Sequence, residues 1–123
     1  MTPHELSSYT VSPTDSIRTA MEKIEANKHR AVVVVDEGRV VGIVSDGDIR
    51  RAFLHDVLPL AAVSRIMQLN PHVTTHTDGA LRREALVRKR VTILPVVSAE
   101  NDLIDIELAY EPSFTPDNDP AGS

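Results

Sequence analysis

With 41% hydrophobic residues, a chain of 123 residues can bury a core, but two Phe, two Tyr and no Trp leave Val, Ile, Leu, Ala and Met to fill it. A net charge of −5 disfavours a nucleic-acid surface, and the absence of cysteine excludes a disulfide scaffold, a thiolate zinc site and a cysteine nucleophile. No apolar run approaches the ~18 residues of a membrane span, and the polar start from Met1 to Tyr9 lacks a signal-peptide pattern, so a soluble, cytoplasmic protein is expected.

Residues 1–8 read as a loose lead-in or a short helix. Thr10-Val11 forms a first short strand, and Thr14 to Ser16 supply caps for the helix that follows. In that helix Ile17, Ala20, Met21 and Ile24 share one face. Ala31 to Val35 is a continuous β-branched run, the pattern of a strand buried on both faces. Asp36 to Arg39 reads as a tight turn, Val40 to Val44 as a second strand, and Ser45 to Asp48 as the opening of a helix from Ile49 to Leu54. Pro59 to Met67 is expected to be a connecting helix that buries Val63, Ile66 and Met67.

The same order returns about 63 residues later, at the scale of an internal repeat. Val73-Thr74 corresponds to the first short strand and Ala80 to Lys89 to the helix. Ile93 to Ser98 and Leu103 to Ile106 correspond to the paired strands. Beyond Tyr110 the acidic, Pro-rich stretch 111–123 has no periodicity and reads as a disordered tail. The division is therefore 1–8 lead-in, 9–58 first repeat, 59–110 connecting helix and second repeat, and 111–123 tail. One unit of this size buries too little surface alone, so two are expected to share a core.

The stretch from Gly42 to Asp48 carries the chemistry. A strand ends, a hydroxyl follows, a glycine lets backbone approach a ligand, and a helix begins with its free N–H groups and positive dipole end. Asp48 suits vicinal ribose hydroxyls, while Arg30, Arg50 and Arg51 suit phosphate. The same residues also serve, without any ligand, as a plain helix cap.

Taken together, the double β-α-β-β-α order, Ser-Pro-Thr-Asp-Ser-Ile ahead of the first helix, Val-Val-Val-Val-Asp-Glu-Gly-Arg-Val-Val-Gly-Ile-Val-Ser-Asp-Gly-Asp, and Ile-Leu-Pro-Val-Val in the second copy resemble CBS (cystathionine-β-synthase-type) repeats over residues 9–110. The Ser-Asp-Gly-Asp-Ile-Arg-Arg segment looks most like the pairs attached to sugar-phosphate isomerases and sugar nucleotidyltransferases. The resemblance implies an α/β (α+β) fold of two pseudo-twofold repeats packed through their sheets. It also implies a regulatory rather than catalytic module with an adenine nucleotide in the cleft between them.

AMP is the favoured ligand, with ADP, ATP and S-adenosylmethionine as the other candidates. By the family pattern the site comprises Arg30, Gly42, Ile43, Ser45, Gly47 and Asp48 from the first repeat. Val91 and Thr92 lie against the adenine, and backbone from Asn70 to Val73 closes the cleft. Asp46 adds negative charge that disfavours a triphosphate. In the second copy Asp105, Leu108 and Glu111 take the places of Gly42, Ser45 and Asp48, so one working site per chain is expected. A homodimer is expected from the apolar helix faces, and an enzyme of sugar-nucleotide metabolism is a candidate partner.

Other groups read as ordinary surface. His72 and His76 lack a third ligand, and Asp46-Gly47-Asp48 lacks the further oxygens of a calcium loop. The basic run through Arg88-Lys89-Arg90 reads as a solvated helix face. No phosphate loop, nucleophile elbow or His-Glu-x-x-His occurs, so no metal, catalytic residue or covalent cofactor is expected.

Overall fold

The structure, a computed structural model, describes residues 1–110. The expected tail, with the expected Glu111 correspondence, lies outside the described residues. The lead-in folds as α1 (Pro3–Ser7), with Pro3 at its first position and Thr2 and Glu5 forming a reciprocal cap. Then come β1 (Thr10–Val11), α2 (Ile17–Asn27), β2 (Ala31–Asp36), β3 (Arg39–Ser45) and α3 (Asp46–Leu54). The second half supplies α4 (Gly79–Arg88), β4 (Ile93–Val97) and β5 (Leu103–Leu108).

Strand β1 runs parallel to β2, and β2 pairs antiparallel with β3 through the Glu37-Gly38 turn. β4 and β5 form a separate antiparallel pair. The apolar run in β2 is explained by cover on both faces. Val32 and Val34 pack with Ile17, Ala20 and Ile24 of α2 and Ile49 of α3. Ala31 and Val33 point the other way, into a cluster with Ile93, Val97 and Ile106 of the second half. That shared cluster is where the two repeats join. Asn101 seals one edge of it, its side chain donating to the Val40 carbonyl at 2.7 Å, and the Thr92 hydroxyl donates to the His29 carbonyl at 2.6 Å.

Three expectations need correction. The segment from Pro59 to Met67 is not a helix; it holds one 3-10 turn, Val63–Arg65. Its backbone is drawn into pairing with the start of α2. Ile17 and Arg18 donate to the carbonyls of Ala61 and Pro59, and Val63 donates to Asp15. Val63 is nonetheless fully buried, and Ile66 and Met67 pack against the first core. Secondly, α3 begins three residues before Ile49, at Asp46, because Ser45 itself is the cap. Thirdly, the first strand of the second repeat shrinks to a single parallel bridge between Thr74 and Val96. No helix among the described residues is long and apolar enough to cross a membrane.

Candidate functional site

Ser45 ends β3 in an extended conformation and turns the chain into α3. Its hydroxyl accepts from the Asp48 N–H at 3.2 Å and donates to Asp48 Oδ2 at 3.0 Å, while the Ser45 N–H donates to the same oxygen at 2.9 Å. Asp48 Oδ1 receives the Gln68 side-chain amide at 2.9 Å and the Arg51 guanidinium. The Asp48 side chain is only 4% exposed. Burial alone would raise its pKa, but the bonds from Gln68, Ser45 and Arg51 outweigh it and hold the carboxyl below its ordinary range. Asp48 is thus an anionic acceptor fixed at the positive end of a helix.

Beside this pair opens a cleft of about 420 Å³, within the range of small-ligand sites. Ala31 and Ile43 of the first repeat and Val91 and Ile93 of the second give it apolar walls. Ser45, Asp48 and Gln68 form a polar end, Arg30 and Arg90 also line the cleft, and the Arg51 guanidinium lies at its Asp48 end. Arg30 and Arg90 both sit on left-handed backbone, φ 67° and 56°, at the points where the chain turns toward β2 and β4. The Arg30 carbonyl accepts from the Asp46 N–H at 3.0 Å, tying the strand entrance to the helix start. An apolar slot, a buried carboxylate and nearby arginines are chemically complementary to a base, a diol and an anionic group.

The structure gathers Arg30, Ile43, Ser45, Asp48, Val91 and Thr92 around this cleft. Gly42 and Gly47 are not among its walls. A Cβ on Gly42 would lie 2.9 Å from the Gln68 carbonyl oxygen, so this glycine admits the crossing backbone of Gln68, which exchanges two hydrogen bonds with Ile43. Gly47 is in the first turn of α3, where a Cβ would come within 3.3 Å of the Arg51 guanidinium.

The segment from Asn70 to Val73, expected to close the cleft, does not border it. Asn70, Pro71 and Val73 line a different depression with Val40, Val41 and Asn101. The Thr92 hydroxyl is committed to the His29 carbonyl. Sequence reasoning missed Gln68, which carries no motif, and took Arg90 for part of a solvated face. The signal for Arg90 was its place after the second helix, matching Lys28 after the first. Among the described residues no three His, Asp or Glu side chains converge to hold a metal ion.

The equivalent end of the second half is built differently. Gly42 pairs with Val34 and Ser45 with Ala31; in the second hairpin Asp105 pairs with Val96 and Leu108 with Ile93. The registers therefore put a carboxylate where the first half has Gly42, and an apolar side chain where it has the capping hydroxyl.

Comparison with known proteins agrees with this architecture. A family model described as the CBS domain matches residues 1–55. The arabinose 5-phosphate isomerase KdsD of Francisella tularensis is 30% identical over 103 residues, which is 82% of this chain and 32% of the isomerase. The chain spans about a third of the length of the curated relatives it matches. Among solved structures, CBSX2 in complex with AMP is 27% identical with a TM-score of 0.65, covering 81% of this chain and 80% of that one. The CBS domain protein PAE2072 of Pyrobaculum aerophilum, complexed with AMP, shares the fold with a TM-score of 0.64 at 20% identity, covering 80% of this chain and 78% of that one.

Proposed function

Because this chain belongs to the CBS-domain family as a pair of repeats, a regulatory module, we propose that its open cleft senses an adenosine nucleotide, with AMP favoured. The observation that carries the reading is the Ser45–Asp48 pair at the end of an apolar slot formed by both repeats, with three arginines beside it. The base lies against Val91, Thr92 and Ile43, the ribose hydroxyls reach Asp48, and the phosphate meets the N-terminus of α3 with Arg30, Arg51 or Arg90. Arg51 is 60% exposed, so it can leave Asp48 at little cost and turn to the phosphate. The exposed Asp46 carboxylate at the first position of α3 adds repulsion with each further phosphate. A nucleotide touching both repeats favours one arrangement of them and so biases whatever they contact.

The test is thermal unfolding with AMP, ADP, ATP and S-adenosylmethionine, beside Asp48→Ala. A ligand at about 100 times its Kd adds about 2.7 kcal/mol of stability. The readout is the ligand-induced shift in Tm, since Asp48→Ala also weakens the cap of α3. A shift with AMP that Asp48→Ala abolishes supports the reading; no shift with any of the four sinks it.

A second reading has its own observation. Both oxygens of Asp48 are already engaged, and Leu54, Leu58 and Leu60 are more than two-thirds exposed. These features favour a module that pairs with a second copy, or docks on an enzyme of sugar-phosphate or sugar-nucleotide metabolism, without a ligand.

A further inference from the structure

The two halves end their helices alike. Lys28 after α2 and Arg90 after α4 both turn left-handed, with φ 63° and 56°, and the next residues, His29 and Val91, are equivalent. Val91 lines the open cleft. His29 is fully buried, because the ring of Tyr110 lies stacked on it with centroids 4.2 Å apart and planes 17° from parallel. Tyr9 meets the same imidazole edge-on at 5.6 Å.

The position of Tyr110 is equally determined. In the first half the Asp46 N–H donates to the Arg30 carbonyl at 3.0 Å; in the second the Ala109 N–H donates to the Thr92 carbonyl at 3.0 Å. The next residues are Gly47 and Tyr110. Where the first half has no side chain, the second carries a phenol ring that folds back over the wall. Its hydroxyl donates to the Lys28 carbonyl, and its own carbonyl oxygen lies 3.1 Å from His29 Nε2. A planar ring held by stacking on one face and polar contacts at its ends is bound as an aromatic ligand is bound. Tyr110 also borders a depression of about 310 Å³ with Arg83 and Leu108, room for a larger ring system than its own.

We infer that Tyr110 is the resident occupant of the second cleft, filling an aromatic-binding place on His29 that would otherwise accept a planar heterocycle of the adenine class. The module is thereby limited to one ligand. The ligand class rests on the nucleotide reading above; the plug itself does not. With Leu108 replacing the capping serine, the opened cleft recognises the base more than the ribose or phosphate, so adenosine is the probe.

Calorimetric titration of the full chain with adenosine compares wild type, Tyr110→Phe, Tyr110→Ala and Tyr110→Ala with Asp48→Ala. Wild type and Tyr110→Phe are expected to bind one adenosine per chain, Tyr110→Ala two, and the double variant one. If the nucleotide reading alone fails, wild type binds none while Tyr110→Ala still gains a site. A stoichiometry unchanged by Tyr110→Ala in a folded protein overturns the plug. A measurement on the wild type covers a variant that does not fold: nuclear Overhauser contacts between the Tyr110 and His29 rings are expected to persist at saturating adenosine. Their loss on addition of adenosine overturns the inference.

Discussion

The two halves share one backbone plan, yet the first is heavily packed and open at its cleft, while the second is lightly packed and closed. In the first, α2 and α3 bury Ile17, Ala20, Ile24 and Ile49 against Val32, Val34 and Val44. In the second, α4 brings only Ala85 and Leu86 to Leu94, and leaves Leu81 and Val87 exposed. The clefts reverse this order. The first carries no side chain at Gly47, the position at which Tyr110 covers the second. Strand register conserves the positions at which a side chain meets the cleft; the residue placed there decides whether a ligand has room.

The largest effect is expected at Leu94, the fully buried anchor of the thin second core. Leu94→Ala is expected to cost about 2–5 kcal/mol in urea unfolding. A loss below about 1 kcal/mol would show that the second half hardly contributes to cooperative stability. Amide hydrogen exchange sharpens the same point: α4 should exchange faster than α2, because less apolar surface holds it down.

Gly42→Ala tests the crossing beside the first cleft. Its Cβ would meet the Gln68 backbone oxygen at 2.9 Å and the Met67 side chain at 3.0 Å, so a loss of about 1–3 kcal/mol is expected by the same measurement. An unchanged midpoint would mean that the Gln68 strand is free to shift.

Acid sensitivity probes the cap. The carboxyl of Asp48 is held below its ordinary value of 3.8, so the stability it contributes is present above that value and lost as pH falls through the lowered one. Asp48→Asn should flatten that part of the acid limb below about pH 4 and cost about 1 kcal/mol at neutral pH. Parallel acid limbs for the two proteins would contradict the assignment. The smallest effect is expected at Arg51, whose exposed guanidinium adds less than about 1 kcal/mol, so Arg51→Ala should barely move the melting temperature without ligand.

Much of the first repeat was legible because its signals are local. The Ala31–Val35 run, the Ile17, Ala20 and Ile24 face of α2 and the Ser45–Asp48 opening each follow from neighbouring residues, whereas Met21, expected on that face, is 38% exposed. The segment from Pro59 to Met67 misled because Val63, Ile66 and Met67 have helical spacing while their backbone pairs with residues far away in sequence. Gln68 reaches Asp48 only through that long-range crossing, so nothing near it in sequence marks it. Tyr110 was invisible for a related reason: its role appears only once the registers equate it with Gly47.

We propose that this chain has one open nucleotide cleft and one filled by its own Tyr110. Backbone amide shift mapping during titration with AMP tests it most directly. The largest changes are expected at Ser45, Asp48, Val91 and Thr92, with Leu108 and Ala109 nearly still. Largest changes at Leu108 to Tyr110, or none anywhere at saturating AMP, would contradict it.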